Sequence, residues 1–316
     1  MPPLIIMVGP TAVGKTELAI GLAAELRGEI LTADSMQVYK GMDIGTAKPT
    51  IKEQKGIPHH LIDLVNPDET FTVADYQRHY EKKLHELAEK KVTALLSGGT
   101  GLYVRAVTQG FDFPDPPGDP DLRDELREKA AAEGNQALHQ WLAKVDPASA
   151  EKIHPNDLKR VLRALEVYIS TGTPFSQLQK TKEPKLSADT IYIGLTRDRE
   201  ELYRRIELRV DKMLTDGLLA EVQGLLEKGY GPNLQSMQGL GYKEIIPVLT
   251  GRSTLEDATE LLKKRTRNYA KRQLTWFRRE PIESWFLLEE GEEDKTFVKI
   301  LQYIEGRIHH VSNKRI

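Results

Sequence analysis

The stretch Gly9-Pro10-Thr11-Ala12-Val13-Gly14-Lys15-Thr16 limits this chain more than any other feature. It has the spacing G-x-x-x-x-G-K-[ST], follows the apolar run Leu4 to Val8, and opens a helical pattern reaching about Leu26. Glycines in that setting let successive backbone N–H groups turn into one concavity, and the helix N-terminus adds partial positive charge. Lys15 brings a full charge, and the Thr16 hydroxyl is a ligand for Mg²⁺ carried on a phosphate. A strand feeding such a turn and helix also implies a βαβ unit, so this P-loop predicts a fold as well as a phosphate site. It is silent on the chemistry that follows, since nucleotide-binding proteins of many kinds share it.

The rest of the chain supports the same fold. Strands are expected at 29–33, 60–65, 92–97 and 191–195, with a last one at 284–288. Between them, Thr72-Val73-Ala74-Asp75 is a capping box opening a helix to about Lys90, and Gly98-Gly99-Thr100-Gly101 leads from a strand into another helix. Residues 111–121, FDFPDPPGDPD, are too rich in Pro and Asp for either element and read as a linker. Asp119 followed by Pro120 then starts a helical region broken near Gly134, Asp146-Pro147 and His154-Pro155, and residues 171–187 are polar and loop-like. The architecture predicted is α/β: a P-loop NTPase-like parallel sheet core, residues 1–113 and 186–316, with a helical insertion domain over 114–185.

The 316 residues include no cysteine, which excludes disulfides, thiolate nucleophiles and cysteine-bound zinc. No apolar run is long enough to span a membrane and no signal peptide precedes the first strand, so a cytoplasmic, monomeric protein is expected. Net charge is −2, yet Lys263 to Arg279 carries eight Lys or Arg and no acid. Phosphate binding needs only such a local surface, although a charge run is as often a solvated helix face, with Tyr269, Trp276 and Phe277 on its buried side.

Three further groups point at the P-loop crevice. Asp34 follows the strand ending at Ala33, and ligands in parallel sheets bind outside the carboxyl ends of the strands. A carboxylate there suits a general base, against the plainer role of a turn or cap residue. Thr100 offers a hydroxyl from the Gly-Gly turn. Arg205 and Arg209 lie four apart on one helical face, the spacing of a phosphate clamp and equally of surface salt bridges. A small-molecule or nucleotide kinase would share the P-loop and the Asp but not need the basic stretch; a regulatory GTPase would need Asn-Lys-x-Asp, and Asn313-Lys314-Arg315-Ile316 lacks its Asp.

Together, GPTAVGKTELA from Gly9, TADSMQVYKGMDIGTAKP from Thr32, SGGTGLYVRA from Ser97, IHPNDLKRVLRALEVY from Ile153, GLGYKE from Gly239 and AKRQLTWFR from Ala270 resemble the tRNA dimethylallyltransferase (isopentenyltransferase) family, in family order. The resemblance implies that the exocyclic N6 amine of the adenosine 3′-adjacent to the anticodon attacks dimethylallyl diphosphate and releases diphosphate. It implies Asp34 as the base, Thr100 and Arg123 as helpers at the reacting centre, and Lys15, Arg209 and Thr16 with Mg²⁺ on the diphosphate. Contacts to the anticodon stem-loop of tRNA map to Asp34, Ser35, Met36 and Gln37. They map also to Lys159, Arg160, Val161, Leu162 and Arg163, and to Gln238, Gly239, Leu240, Gly241, Tyr242 and Lys243. A last group is Lys271, Arg272, Gln273, Trp276 and Arg278. The target base is expected to flip out of its stack. Lacking cysteines, the chain resembles the bacterial type rather than eukaryotic relatives with a zinc finger. Residues 289–316 carry no motif.

Overall fold

The computed structural model describes residues 3–109, 119–178, 186 and 190–313. It separates into two compact units, Met1–Val107 with Leu186–Ile316, and Thr108–Lys185. The division falls a few residues before the boundary expected at 114. Residues 111–118 of the expected linker lie outside the described residues, as do 179–185 and 187–189 of the polar stretch.

The first unit is built on one sheet. β1 (Leu4–Val8), β2 (Gly28–Ala33), β3 (His59–His60), β4 (Thr93–Gly98), β5 (Ile191–Thr196) and β6 (Ser284–Leu287) lie in the order β3-β2-β4-β1-β5-β6. All five pairings are parallel, with Val8 opposite Gly98 and Gly194. Helices on both faces explain why the central strands read as unbroken apolar runs rather than alternating ones. Ile5 to Val8 are fully buried, and each such side chain contributes about 1.5–3 kcal/mol. One face packs Ile6, Val8, Leu31 and Leu96 against Tyr76 and Tyr103; the other packs Ile5, Met7, Leu95 and Ile193 against the helix Lys15–Glu25.

The capping box forms as expected, Thr72 Oγ1 accepting from Asp75 N while the Asp75 carboxylate accepts from Thr72 N, and the helix runs Val73–Glu89. The third strand differs. It ends at His60 rather than Val65, because Leu61 (φ 65°) and Asp63 (φ 51°) turn left-handed and take the chain off the sheet. Asp63 N and Leu64 N then donate to the carbonyls of Gln37 and Val38. Asp63 is therefore in a turn, with its carboxylate 2.6 Å from Lys48 Nζ. The tail, without a motif, forms a helix, Glu293–Asn313, whose Ile300 and Ile304 are fully buried.

The second unit is helical: Pro120–Glu133, Asn135–Val145, Pro147–Lys152, Leu158–Thr171 and the short Phe175–Leu178. The breaks sit where Gly134, Pro147 and Pro155 put them, and Asp119 caps its helix by accepting from Asp121 N and Leu122 N. Leu138, Leu142, Val161 and Leu165 form its own core. No helix among the described residues is long and apolar enough to cross a membrane.

Candidate active site

β1 delivers the chain to the P-loop at the carboxyl edge of the sheet, and β2 and β4 deliver Asp34 and Gly98-Gly99-Thr100 to the same edge because they pair on that side of β1. Gly14 has φ 108°, a left-handed geometry that a side chain would strain, and it caps the helix Lys15–Glu25. One cavity is lined by Thr11, Lys15, Thr16, Asp34, Arg209 and Tyr269, among others. Asp34 thus meets the P-loop, as its place at a strand end predicts.

Cationic side chains surround the loop. Lys15 Nζ donates to the carbonyls of Gly9 (2.8 Å) and Pro10 (2.7 Å), Arg205 Nε to Ala12 O (3.0 Å), and Arg197 Nε to Val13 O (2.9 Å). Arg209 lies 3.3 Å from Thr11 Oγ1. Arg197 is neutralised by Glu201 and Glu293, whereas Arg205 and Arg209 form no ion pair among the described residues. Burial, then the charge of Arg209, push Lys15 down to about 7. Burial and the neighbouring Arg205 lower Arg209 as well. Two arginines and a lysine without a carboxylate partner around N–H groups at a helix N-terminus form a site short of negative charge. Such a site has the chemistry to take a polyanion.

Asp34 is the acid in this cavity. Burial raises its carboxyl above the usual range, against the opposing pull of backbone N–H groups, Lys15 and Arg209. Met36 N donates to its Oδ1 at 2.9 Å, which fixes the rotamer. Thr100 Oγ1 accepts from Ser35 N at 3.0 Å, and Thr100 N donates to Ala33 O, so the β4 turn is tied to both residues flanking Asp34. A raised carboxyl beside a phosphate cradle is suited to take a proton.

Gln273 is buried, and its side chain is fully engaged: Oε1 accepts from Thr11 N at 2.8 Å and Nε2 donates to Gly99 O at 2.8 Å. A Cβ on Gly99 would fall 2.3 Å from that Nε2, which is why glycine stands there. Trp276 is half-buried, with the Arg105 guanidinium stacked 4.3 Å over its ring. Both belong to the helix Leu255–Phe277, on which Lys271 and Arg272 are exposed, the Arg272 guanidinium 5.8 Å from the centre of the Tyr269 ring; Arg278, the residue that caps the helix C-terminus, is exposed as well. Tyr242 and Gly239 are buried, while Gln238 is exposed and Leu240 and Lys243 half-exposed. Arg123 belongs to the helical unit, where its guanidinium reaches both Glu166 oxygens at 2.8 and 2.9 Å. On the helix Leu158–Thr171, Lys159 and Arg160 are exposed, Arg163 pairs with Glu166, and Val161 and Leu162 face the core.

Residues 37–280 match the family described as IPP transferase. The chain belongs to the IPP transferase family. It is 52% identical over 92% of its length to the tRNA dimethylallyltransferase of Desulforudis audaxviator, of which 93% is covered. It is 50% identical to that of Alkaliphilus oremlandii, over 97% of this chain and 98% of the relative. Among solved structures, the full-length tRNA isopentenylpyrophosphate transferase of Bacillus halodurans matches at 44% identity and TM-score 0.74, covering 100% of this chain and 99% of that one. A eukaryotic dimethylallyltransferase described as acting on tRNA matches at 32% identity and TM-score 0.74, over 88% of this chain and 70% of its own.

Three features of the site are not singled out by the sequence: Arg197, Gln273's grip on the P-loop, and a cavity role for Tyr269, which burial and then the Asp34 charge push up to about 12. Their signals were present but ambiguous. Tyr269 and Gln273 sit inside a basic run, where only the helical period, four residues apart, separates the buried side from the exposed one.

Proposed function

We propose that the chain moves the dimethylallyl group of dimethylallyl diphosphate onto the N6 amine of the adenosine 3′-adjacent to the anticodon of tRNA, releasing diphosphate. The observation that carries the reading is Asp34 lining the same cavity as Lys15, Thr16 and Arg209. The N6 lone pair forms the new bond to the allylic carbon; the bond from that carbon to the diphosphate oxygen breaks, its electrons leaving with diphosphate. The amine proton passes to the Asp34 carboxylate. An amine conjugated to adenine is a weak nucleophile, so a base of raised pKa aids the step. Negative charge grows on the diphosphate as the bond breaks, where the P-loop N–H groups, Lys15 and Arg209 stabilise it. The P-loop here holds a leaving group rather than a nucleotide to be hydrolysed.

Mg²⁺ fits the residues present in one form. The Thr16 hydroxyl lines the cavity, and no cluster of three acidic or His side chains is present among the described residues. Such a donor set suits an ion carried in on the diphosphate, with Thr16 one ligand among phosphate and water oxygens. Bound there, the ion would neutralise charge on the leaving group. The exposed Lys271, Arg272 and Arg278 would hold tRNA phosphates, as would Lys159 and Arg160 of the helical unit, and Arg123 would assist the reaction once freed from Glu166. We read the enzyme as a cytoplasmic monomer. The test supplies labelled dimethylallyl diphosphate, ATP or GTP with bulk tRNA. Label from the first should enter tRNA; consumption of ATP or GTP without such transfer would overturn the assignment.

A further inference from the structure

Glu221 lies on the helix Leu218–Glu227, outside every segment that carried the family resemblance. Its carboxylate nevertheless accepts four hydrogen bonds. Oε2 accepts from Asp43 N at 2.9 Å and Ile44 N at 2.7 Å, and Oε1 accepts from Gly45 N at 3.1 Å and from the Tyr242 hydroxyl at 2.7 Å. Three consecutive backbone N–H groups directed at one point make an anion nest, and the anion in it belongs to this chain. Tyr242 closes the arrangement. Its ring packs against Gly45, so that a Cβ there would be 2.6 Å away.

The turn held in this way is part of the cavity. Thr46, Ala47 and Pro49 line it directly after Gly45. Gln37 Nε2 donates to the carbonyls of Thr46 (3.1 Å) and Ala47 (3.3 Å), and Gln37 also lines the cavity, three residues from Asp34. A continuous set of contacts therefore runs from Glu221 through the Asp43–Gly45 turn to the Thr46–Ala47 wall, Gln37 and the Asp34 segment. The P-loop and Arg209 supply other parts of the lining and take no bond from Glu221. We propose that Glu221 is a positioning residue for the transfer step: seated in the Asp43–Gly45 nest and braced by Tyr242, it sets the cavity wall that places donor and acceptor against Asp34.

This rests on the transfer reaction proposed above, and its consequences separate from those of that reading. The diphosphate is gripped by the P-loop, so affinity for inorganic diphosphate with Mg²⁺ should be unchanged in Glu221→Gln. An amide has one accepting oxygen where the carboxylate has two, so at least one backbone donor of the nest loses its partner and the wall shifts. A misplacement of about 1 Å costs on the order of 10²-fold in rate. The single-turnover transfer rate should fall by that order while the melting temperature holds. Tyr242→Phe removes one of the four bonds and should show a smaller loss of the same kind. Glu221→Ala vacates the nest, and sodium formate, but not sodium chloride of equal ionic strength, should restore part of its rate. Wild-type rates in Glu221→Gln and Tyr242→Phe would overturn the proposal, as would diphosphate affinity falling in step with the rate, or a folded, impaired Glu221→Ala that ignores formate. A wild-type protein that transfers no label would overturn the proposed function itself.

Discussion

Replacing Asp34 by asparagine separates its chemistry from its geometry. The carboxylate accepts from Met36 N through Oδ1 at 2.9 Å, and an amide oxygen takes over that bond. The Ser35–Thr100 contact does not involve the carboxylate, so the turn after β2 keeps its shape. What disappears, in the reaction proposed for this site, is the ability to take the amine proton. Loss of a general base lowers a rate by roughly 10²–10⁴-fold, or about 2.7–5.4 kcal/mol of barrier at 1.36 kcal/mol per decade. The assay is single turnover, with enzyme in excess over an anticodon stem-loop and labelled dimethylallyl diphosphate, so that product release does not intervene. The pH profile gives a second readout. Burial raises Asp34, and the base works deprotonated, so the wild-type rate should climb with pH through that raised value and level off. The asparagine variant should lack that limb. Linkage fixes the stability effect: a carboxyl raised in the folded state loses stability as pH rises through its folded pKa, so at neutral pH the variant should melt no lower than the wild type. Near-normal turnover, or a retained limb, would remove Asp34 from the proton transfer.

Lys15 is held at about 7 in the free site. Diphosphate favours its charged form, so binding should take up a proton above that pH and weaken as pH rises; calorimetry in buffers of different ionisation enthalpy should show the uptake, and Lys15→Ala should abolish it. Folding stability should rise with pH between about 7 and 10.5 on account of Lys15, because the unfolded chain binds the extra proton there. Thr16→Ala should raise the Mg²⁺ concentration needed for half-maximal transfer; an unchanged Mg²⁺ titration would exclude the hydroxyl as a ligand. Converting the exposed Lys271, Arg272 and Arg278 to Ala should weaken all substrate tRNAs alike and flatten the salt dependence of log K by roughly 0.7–0.9 per lost phosphate contact. A salt slope equal to the wild type would make that face merely solvated.

Legibility in the sequence followed the range of the physics. Gly9 to Thr16, the capping box at Thr72 and the Asp119-Pro120 helix start are local patterns with local causes, and each forms where its spacing placed it. Asp34 could be placed at the crevice because a strand's end is readable and the parallel sheet does the rest. The third strand was overrun because its apolar residues continue to Val65 while positive φ at Leu61 and Asp63 is invisible to hydropathy. Contacts across long separations were hidden altogether. Gln273 on Thr11 spans 262 residues and Glu221 on Asp43 spans 178, and neither leaves a spacing to read. On the basic helix the buried positions Leu262, Ala270 and Phe277 are apolar, but Gln273 is polar like its exposed neighbours, so its burial against the P-loop shows only in the packing.

In the proposed reaction the N6 amine displaces diphosphate held in the P-loop. This displacement is tested most directly with two anticodon stem-loops that differ only at the target base, one carrying adenosine and the other purine riboside, which lacks the amine. Labelled diphosphate release and label incorporation are followed together in a single turnover. With adenosine, one diphosphate should leave for each prenylated base; with purine riboside, both signals should be absent although the stem-loop still binds. Diphosphate release at a comparable rate from the purine complex, or prenylation at another atom, would contradict the account.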